Sequence, residues 1–366
     1  MKCQLCQRDS PLISQAIGYC VDCIRSHFAE VAQDIKEIHI RNRLMDYLPP
    51  EPPRAPEGRS CKICAHECRI PPGGKGYCGL YQNLDGKLIP ITSSHLMGIV
   101  HWYYDGLPTN CCAAWVCPGC SNTGYPQFSY ATGPEYGYKN LAVFYGACNF
   151  DCLFCQNWTY RRDLKHPVPS AVGDLVRAVD KKTSCICFFG GDPTPQVIHA
   201  LRASRMALKE NKGRVLRICW ETNGGVSPPL MEQMARVSLT SGGCIKVDLK
   251  AWSEEVNIAL CGVSNRRTLE NFRRLAAFHK ERRNPPFLIA STLLVPGYVD
   301  QQEVGNIARF IASLDPSIPY TLLAFHPDFR MWDLPPTSRE HATQSLKIAQ
   351  EEGLKNVHLG NVHLLW

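Results

Sequence analysis

Residues 141–155 read LAVFYGACNFDCLFC: a strand-length apolar run that ends in three cysteines, Cys148, Cys152 and Cys155, spaced C-x3-C-x2-C. Five more runs of similar character follow: CICFFGG (185–191), VLRICWETNG (215–224), CIKVDLK (244–250), FLIASTLLVPG (287–297) and YTLLAFHP (320–327). Helical periodicity fills the intervals, predicting helices over Ala171–Lys182, Pro195–Asn211, Pro229–Ser238, Thr268–Arg283, Gln302–Leu314 and Ser338–Glu352. Runs rich in β-branched and aromatic residues, alternating with helix-length segments, make βα units and a parallel sheet. Six such units fall short of the eight of a closed barrel, so the predicted fold is α/β, a partial (β/α)6 barrel. Chemistry in such folds gathers at the C-terminal ends of the strands, where the three cysteines stand.

Composition limits the rest. The chain has 366 residues, 45% of them apolar, which is enough for a sizeable core. A net charge of +7 (40 Lys+Arg against 33 Asp+Glu) is small for this length and argues against nucleic acid or a membrane surface as partner. The opening MKCQLCQRDS lacks the apolar core of a secretory leader, and no run reaches the ~18 apolar residues of a membrane span, so a cytoplasmic protein is expected. Thiols stay reduced there, so 20 cysteines point to metals or clusters rather than disulfides.

Those cysteines also divide the chain. Residues 1–47 carry Cys3, Cys6, Cys20 and Cys23 as two C-x2-C knuckles and then a helical stretch, a zinc-ribbon-like module. Residues 48–60 are a Pro-rich linker. Residues 61–138, rich in Gly, Pro and aromatics, hold Cys61, Cys64, Cys68 and Cys78 with His66 among them, and then Cys111, Cys112, Cys117 and Cys120. Either zinc or an auxiliary iron–sulfur cluster suits these groups; adjacent Cys111 and Cys112 suit one metal poorly, whereas Cys117-Pro-Gly-Cys120 is a usable knuckle. The barrel occupies 139–366. Cys185, Cys187, Cys219, Cys244 and Cys261 stand singly and read as small core residues.

Three thiolates at the spacing of Cys148, Cys152 and Cys155 can each hold one iron of a cubane cluster and leave the fourth iron open. An electron-transfer protein would supply a fourth cysteine. The second run ends in Gly190-Gly191-Asp192-Pro193, a turn that leaves backbone polar groups within reach of a ligand.

This ordered pair of motifs resembles the radical-SAM superfamily. The resemblance implies a [4Fe-4S] cluster on Cys148, Cys152 and Cys155 whose open iron chelates S-adenosylmethionine. It places Phe154 near the adenine, Gly190, Gly191, Asp192 and Pro193 at the methionine amino group (with Asp for the usual Glu), Glu221 and Asn223 at the ribose and methionine, and Val295 and Gly297 at the adenine. More narrowly, CKICAHECRIPPGGKGYCGLYQNLDGKL (61–88), CNFDCLFCQNW (148–158), KVDLKAW (246–252), FHPD (325–328) and GNVHLL (360–365) resemble the AmmeMemo-system radical-SAM enzymes, relatives of the pyruvate formate-lyase activating enzymes. The Cys3–Cys23 module and the insertion at 102–120 depart from that pattern.

The implied reaction is reductive cleavage of S-adenosylmethionine to a 5′-deoxyadenosyl radical, which takes hydrogen from a protein or peptide, as in glycyl-radical activation. A low-potential donor such as ferredoxin or flavodoxin would supply the electron. Asp248, Lys250 and His326, at the ends of runs four and six, are the candidate catalytic residues at the barrel mouth. Modification of a small metabolite is the alternative. A non-catalytic iron–sulfur carrier or zinc-ribbon interaction protein is another, and would ignore S-adenosylmethionine.

Overall fold

The computed structural model describes residues 1–366. Its centre is a nine-stranded sheet built from β1 (Met97–Gly106), β2 (Lys139–Tyr145), β3 (Pro169–Ala171), β4 (Thr183–Gly190), β5 (Arg217–Thr222), β6 (Ile245–Asp248), β7 (Leu288–Leu294), β8 (Tyr320–Ala324) and β9 (Val357–Gly360). The spatial order is β9-β8-β7-β6-β5-β4-β2-β1-β3. Neighbours from β2 to β9 are all parallel, while β1 pairs antiparallel with β2 and β3. The sheet is therefore open and parallel-rich, with helices in the crossovers: a partial barrel. The six runs of the sequence are β2 and β4–β8.

Two parts of the sheet escape a reading by periodicity. β9 is a seventh parallel strand of four half-exposed residues, too short and too polar to register as a run. β1 lies in the stretch that reads as loop, because only Gly98, Ile99 and Val100 of its ten residues are buried together. Helices match the predicted segments to within a few residues, except that Ala171–Lys182 shortens to Val172–Arg177. The helix Glu254–Cys261 is additional.

Packing joins the N-terminal residues to the barrel. One continuous core contains Ile13, Ile24, Val31 and Ile35 together with residues of every parallel strand but β9, whose Val357 and Leu359 pack against it. The Tyr298 hydroxyl accepts from the Ser14 amide at 3.0 Å and donates to the Tyr19 carbonyl at 3.2 Å, while Arg25 reaches Asp300 (2.6 Å) and Glu303 (3.0 Å). The proline-rich stretch is laid along this surface: the Arg43 Nε donates to the Pro49 carbonyl at 2.7 Å, and Arg59–Ser60 pairs with Arg69–Ile70.

At the opposite end, the loop 107–138 plugs the N-terminal opening of the barrel. Arg217, at the start of β5, donates to Glu135 from both terminal nitrogens (2.9 and 2.7 Å), and Ser184 adds 2.7 Å to the same carboxylate. All of these groups are buried. The Trp115 indole donates to Thr321 Oγ1 (3.0 Å), which in turn donates to the Cys112 carbonyl at 2.9 Å.

Two buried histidines give the fold a pH dependence. His199 Nδ1 shares a 2.8 Å hydrogen bond with the Tyr145 hydroxyl, and His279 Nδ1 accepts from the Leu288 amide at 3.3 Å. Burial pushes both down to about 4. An unfolded chain, with its histidines near 6.5, takes up protons that the folded chain refuses, so stability present above about pH 6.5 is lost as pH falls toward 4. The expected loss is on the order of 1–3 kcal/mol per histidine. Urea midpoints should fall between pH 7 and 4.5, and His279→Gln should flatten that slope; an unchanged slope would contradict the account.

Candidate functional site

The loop Cys148–Cys155 leaves β2 at the C-terminal end of the sheet and is held by its own central residue. Asp151 is fully buried and accepts hydrogen bonds from Arg161 (2.6 Å), His39 Nδ1 (2.8 Å) and Asn42 Nδ2 (3.0 Å to each oxygen). Burial alone would raise its pKa, but His39, Arg161 and Arg43 outweigh that and hold the carboxyl below the ordinary carboxylate range. The Asp151 and Leu153 amides donate to the carbonyls of Cys261 and Leu260, both at 2.9 Å. Helix Phe28–Leu44, which carries His39 and Asn42, is thereby tied to the cysteine loop.

Beside it runs the turn at the end of β4. Gly190 has φ +118°, and a Cβ there would lie 2.4 Å from the Tyr145 nitrogen; one on Gly191 would lie 2.4 Å from the Ala147 carbonyl oxygen. The pair is thus required for close approach of two backbones, one of them the lead-in to Cys148. Asp192 is buried, and its carboxylate is engaged inside the protein, accepting from the amides of Thr194 (2.7 Å) and Asn223 (2.7 Å) and from Thr222 Oγ1 (3.2 Å). It acts as a tie between the ends of β4 and β5. Asn223 Nδ2 continues to Asn149 Oδ1 at 2.8 Å, inside the cysteine loop.

These segments enclose a cavity of about 170 Å³ at the C-terminal ends of the strands. Cys148, Cys152, Cys155, Phe154, Gly190, Gly191, Asp192, Glu221, Asn223, Asp248 and Lys250 all line it, drawn from four separate stretches of chain. Lys250 donates to Asp248 at 3.0 Å, and Ser291 holds the other oxygen of Asp248 at 2.6 Å. Burial would lower the pKa of Lys250, yet Asp248, Cys152 and Cys261 raise it well above the usual value, so the cavity keeps an ammonium. The Cys152 thiol is held down chiefly by contact with Cys261, against the effect of burial, while burial pushes Cys155 up to about 12 and Cys148 well above the usual thiol value. Cys261 is therefore a neighbour of the site as well as a core residue.

Other candidate residues lie elsewhere. His326 is exposed and does not line the cavity. Val295 is buried in the core, and Gly297, at φ +78°, packs against the backbone of Leu12, where a Cβ would lie 2.1 Å from the carbonyl oxygen. Pro193 leads into a short 3-10 turn at Thr194–Gln196. Leu293 and Leu323 line the cavity without having been singled out in the sequence, because their inward direction follows from sheet register.

The four N-terminal thiols of Cys3, Cys6, Cys20 and Cys23 converge, with all Sγ atoms within 4.8 Å of one another, and can hold a metal. Cys61, Cys64, Cys68 and Cys78 sit against the turn after β5, where the Ala65 amide donates to the Gly225 carbonyl at 2.8 Å. His66 faces away from them: its Nε2 donates to the Asn149 carbonyl at 2.6 Å, and burial lowers its pKa to about 4.

Comparison with known proteins accords with this geometry. Residues 142–311 match the Radical SAM superfamily. An uncharacterized protein of Methanocaldococcus jannaschii is 25% identical over 313 residues, covering 82% of this chain and 81% of its own length. The isethionate sulfite-lyase activating enzyme of Desulfovibrio desulfuricans is 32% identical over 160 residues, 43% of this chain and 48% of that enzyme. A solved domain of a pyruvate-formate lyase-activating enzyme from Bacteroides vulgatus is 21% identical, covers 48% of this chain and 98% of that one, and has a TM-score of 0.39. The match to the radical SAM superfamily thus falls within the barrel, and relatives of the chain include activating enzymes. No helix is long and apolar enough to cross a membrane.

The family implies a [4Fe-4S] cluster and S-adenosylmethionine, and the donor set fits both. Three thiols line the cavity while Cys261, in contact with Cys152, lies behind its wall, as a cluster with one open iron requires, and polar backbone and an ammonium face the same space. Removing the tie at the centre of the loop tests how firmly it is held. Asp151→Ala strands Arg161 and Arg43 in the interior and should cost about 3–5 kcal/mol, read as a lower urea midpoint. A midpoint unchanged from the parent would refute the clamp.

Proposed function

We propose that the chain is a radical-SAM enzyme acting on a protein or peptide, with Cys148, Cys152 and Cys155 holding the cluster and the strand-end cavity holding S-adenosylmethionine. The observation that carries this reading is the convergence of the three thiols, the Gly190-Gly191-Asp192 turn, Asn223 and Lys250 on one cavity. When bound, the cluster and S-adenosylmethionine supply one-electron cleavage of the sulfonium and a 5′-deoxyadenosyl radical able to take hydrogen from a C–H bond.

The protein's own part is placement and exclusion. Asp192 fixes the two turns on which the methionine end rests, by its bonds to Thr194, Thr222 and Asn223. Lys250 keeps positive charge beside Cys152, which favours its thiolate, the form that binds iron. Phe154, Leu293 and Leu323 make part of the wall apolar and keep water away from the reacting centre. A protein or peptide substrate is supported by the activating-enzyme relative, and a ferredoxin or flavodoxin would deliver the electron in a cytoplasmic setting. The Cys3–Cys23 quartet suits zinc. Sulfurs around tetrahedral zinc lie roughly 3.8 Å apart, and Cys6 and Cys20 are 3.8 Å apart here.

Anaerobically reconstituted protein, reduced with dithionite and given S-adenosylmethionine, should form 5′-deoxyadenosine, and Cys152→Ala should reduce it at least a hundredfold, to background. No product from fully loaded protein that also fails to bind S-adenosylmethionine would refute the reading. For the substrate, a deuterated cell extract divided by size should label 5′-deoxyadenosine only from the macromolecular fraction. Labelling from the small-molecule fraction alone would overturn the protein-substrate assignment.

A further inference from the structure

The inside of a parallel barrel is ordinarily packed with branched aliphatic side chains. Below the strand-end cavity, several inward positions of this one are cysteines. Cys187 on β4 is the register partner of Cys219 on β5, and the Trp220 amide bonds the carbonyl of Cys244, at the foot of β6. Three thiols thus stand in a row across adjacent strands, at the interstrand spacing of about 4.8 Å. Cys117, from the plug, closes on the same space.

Together with Cys111 and Cys112 these residues bound a chamber of about 190 Å³. It is not the cavity of the cysteine loop: the two share only Phe189 and Glu221 as walls. The chamber opens toward exposed Tyr103 and Asn110, and thiols line its inner wall where branched aliphatic side chains would ordinarily fill the space. A buried ammonium reinforces the point. Lys246 Nζ lies 3.0 Å from Cys111 Sγ and 3.2 Å from Cys187 Sγ and also pairs with Glu221. Arg217 flanks the lower end. Four thiolates on zinc or on a cubane make a doubly negative site, and buried cations are what such a site needs. The twenty cysteines are all free thiols, so no disulfide consumes them.

We propose that this chamber is a second metal–thiolate centre, held by Cys117 of the plug and Cys187, Cys219 and Cys244 of three neighbouring strands, and filled by an iron–sulfur cluster, whose thiolates stand farther apart than those around a single zinc ion. Thiolates select such a cluster over hard cations. Cys111, Cys112 and Glu221, whose ligand atoms lie within 4.8 Å of one another, give the upper wall further donors toward the strand-end cavity. The centre sits under the floor of the proposed S-adenosylmethionine site, and its existence does not depend on that assignment.

The test uses the full chain, purified without air, with iron, sulfide and zinc counted per folded molecule. A Cys148→Ser/Cys152→Ser/Cys155→Ser variant removes the loop site; Cys219→Ser/Cys244→Ser is then added to it. The added pair should lower iron and sulfide by one cluster's worth; a loss of zinc instead would overturn the cluster assignment. Equal metal in both variants would overturn the proposal. Because the added pair could impair folding, the unsubstituted protein is also alkylated natively and mapped by mass spectrometry. Cys219 and Cys244 should be protected and become reactive after chelation in mild denaturant. Reactivity unchanged by chelation, or a disulfide joining any two of the four, would overturn the metal centre.

Discussion

The rest of the molecule is organised around a carboxylate that never reaches water. Asp151 lies between the first and second cysteines of the C-x3-C-x2-C loop and is held by Arg161, His39 and Asn42. An unpaired carboxylate there would be prohibitive, so the loop adopts this shape only where those partners are already in place. Two come from helix Phe28–Leu44 and one from the helix Tyr160–Lys165 that follows the loop. The N-terminal module is therefore part of the mechanism that shapes the loop, and its packing against Tyr298, Asp300 and Glu303 extends that support to the far side of the barrel.

Strand β5 shows how the barrel interior is divided. Its inward residues, two apart along the strand, are Arg217, Cys219 and Glu221. Arg217 fastens the plug through Glu135, Cys219 lines the chamber, and Glu221 faces both the chamber and the strand-end cavity. Charge is layered in the same order, with the ion pair of buried Lys246 and partly exposed Glu221 forming part of the partition. A substitution at one level changes the electrostatics of the next, because low-dielectric surroundings screen these charges poorly.

Much of the fold was legible because its strands are long and apolar and its crossover helices periodic. β9 was not, since Val357-His358-Leu359-Gly360 draws its order from pairing with β8 rather than from its own composition. The cysteine loop and the Gly190-Gly191-Asp192 turn were legible as motifs because their chemistry is local in sequence. What was hidden depends on register and on distant partners. Cys187, Cys219 and Cys244 each read alone as a small core residue, and only the alignment of β4, β5 and β6 brings them side by side. Asp151 likewise carries no sign of its partners more than a hundred residues away. Position at a strand end was also insufficient: His326 points to solvent and Gly297 meets Leu12, because each segment turns away from the cavity after its strand ends.

The central claim is that the three-cysteine loop carries a cluster with one iron free to bind S-adenosylmethionine. Electron paramagnetic resonance of the reduced protein, with and without S-adenosylmethionine labelled with nitrogen-15 at its amino group, tests it most directly. The account predicts a reduced-cluster signal that shifts on addition of the ligand and shows coupling to the labelled nitrogen, both absent from Cys152→Ala. A signal of full intensity that is indifferent to the ligand would contradict it and leave the protein an iron–sulfur carrier.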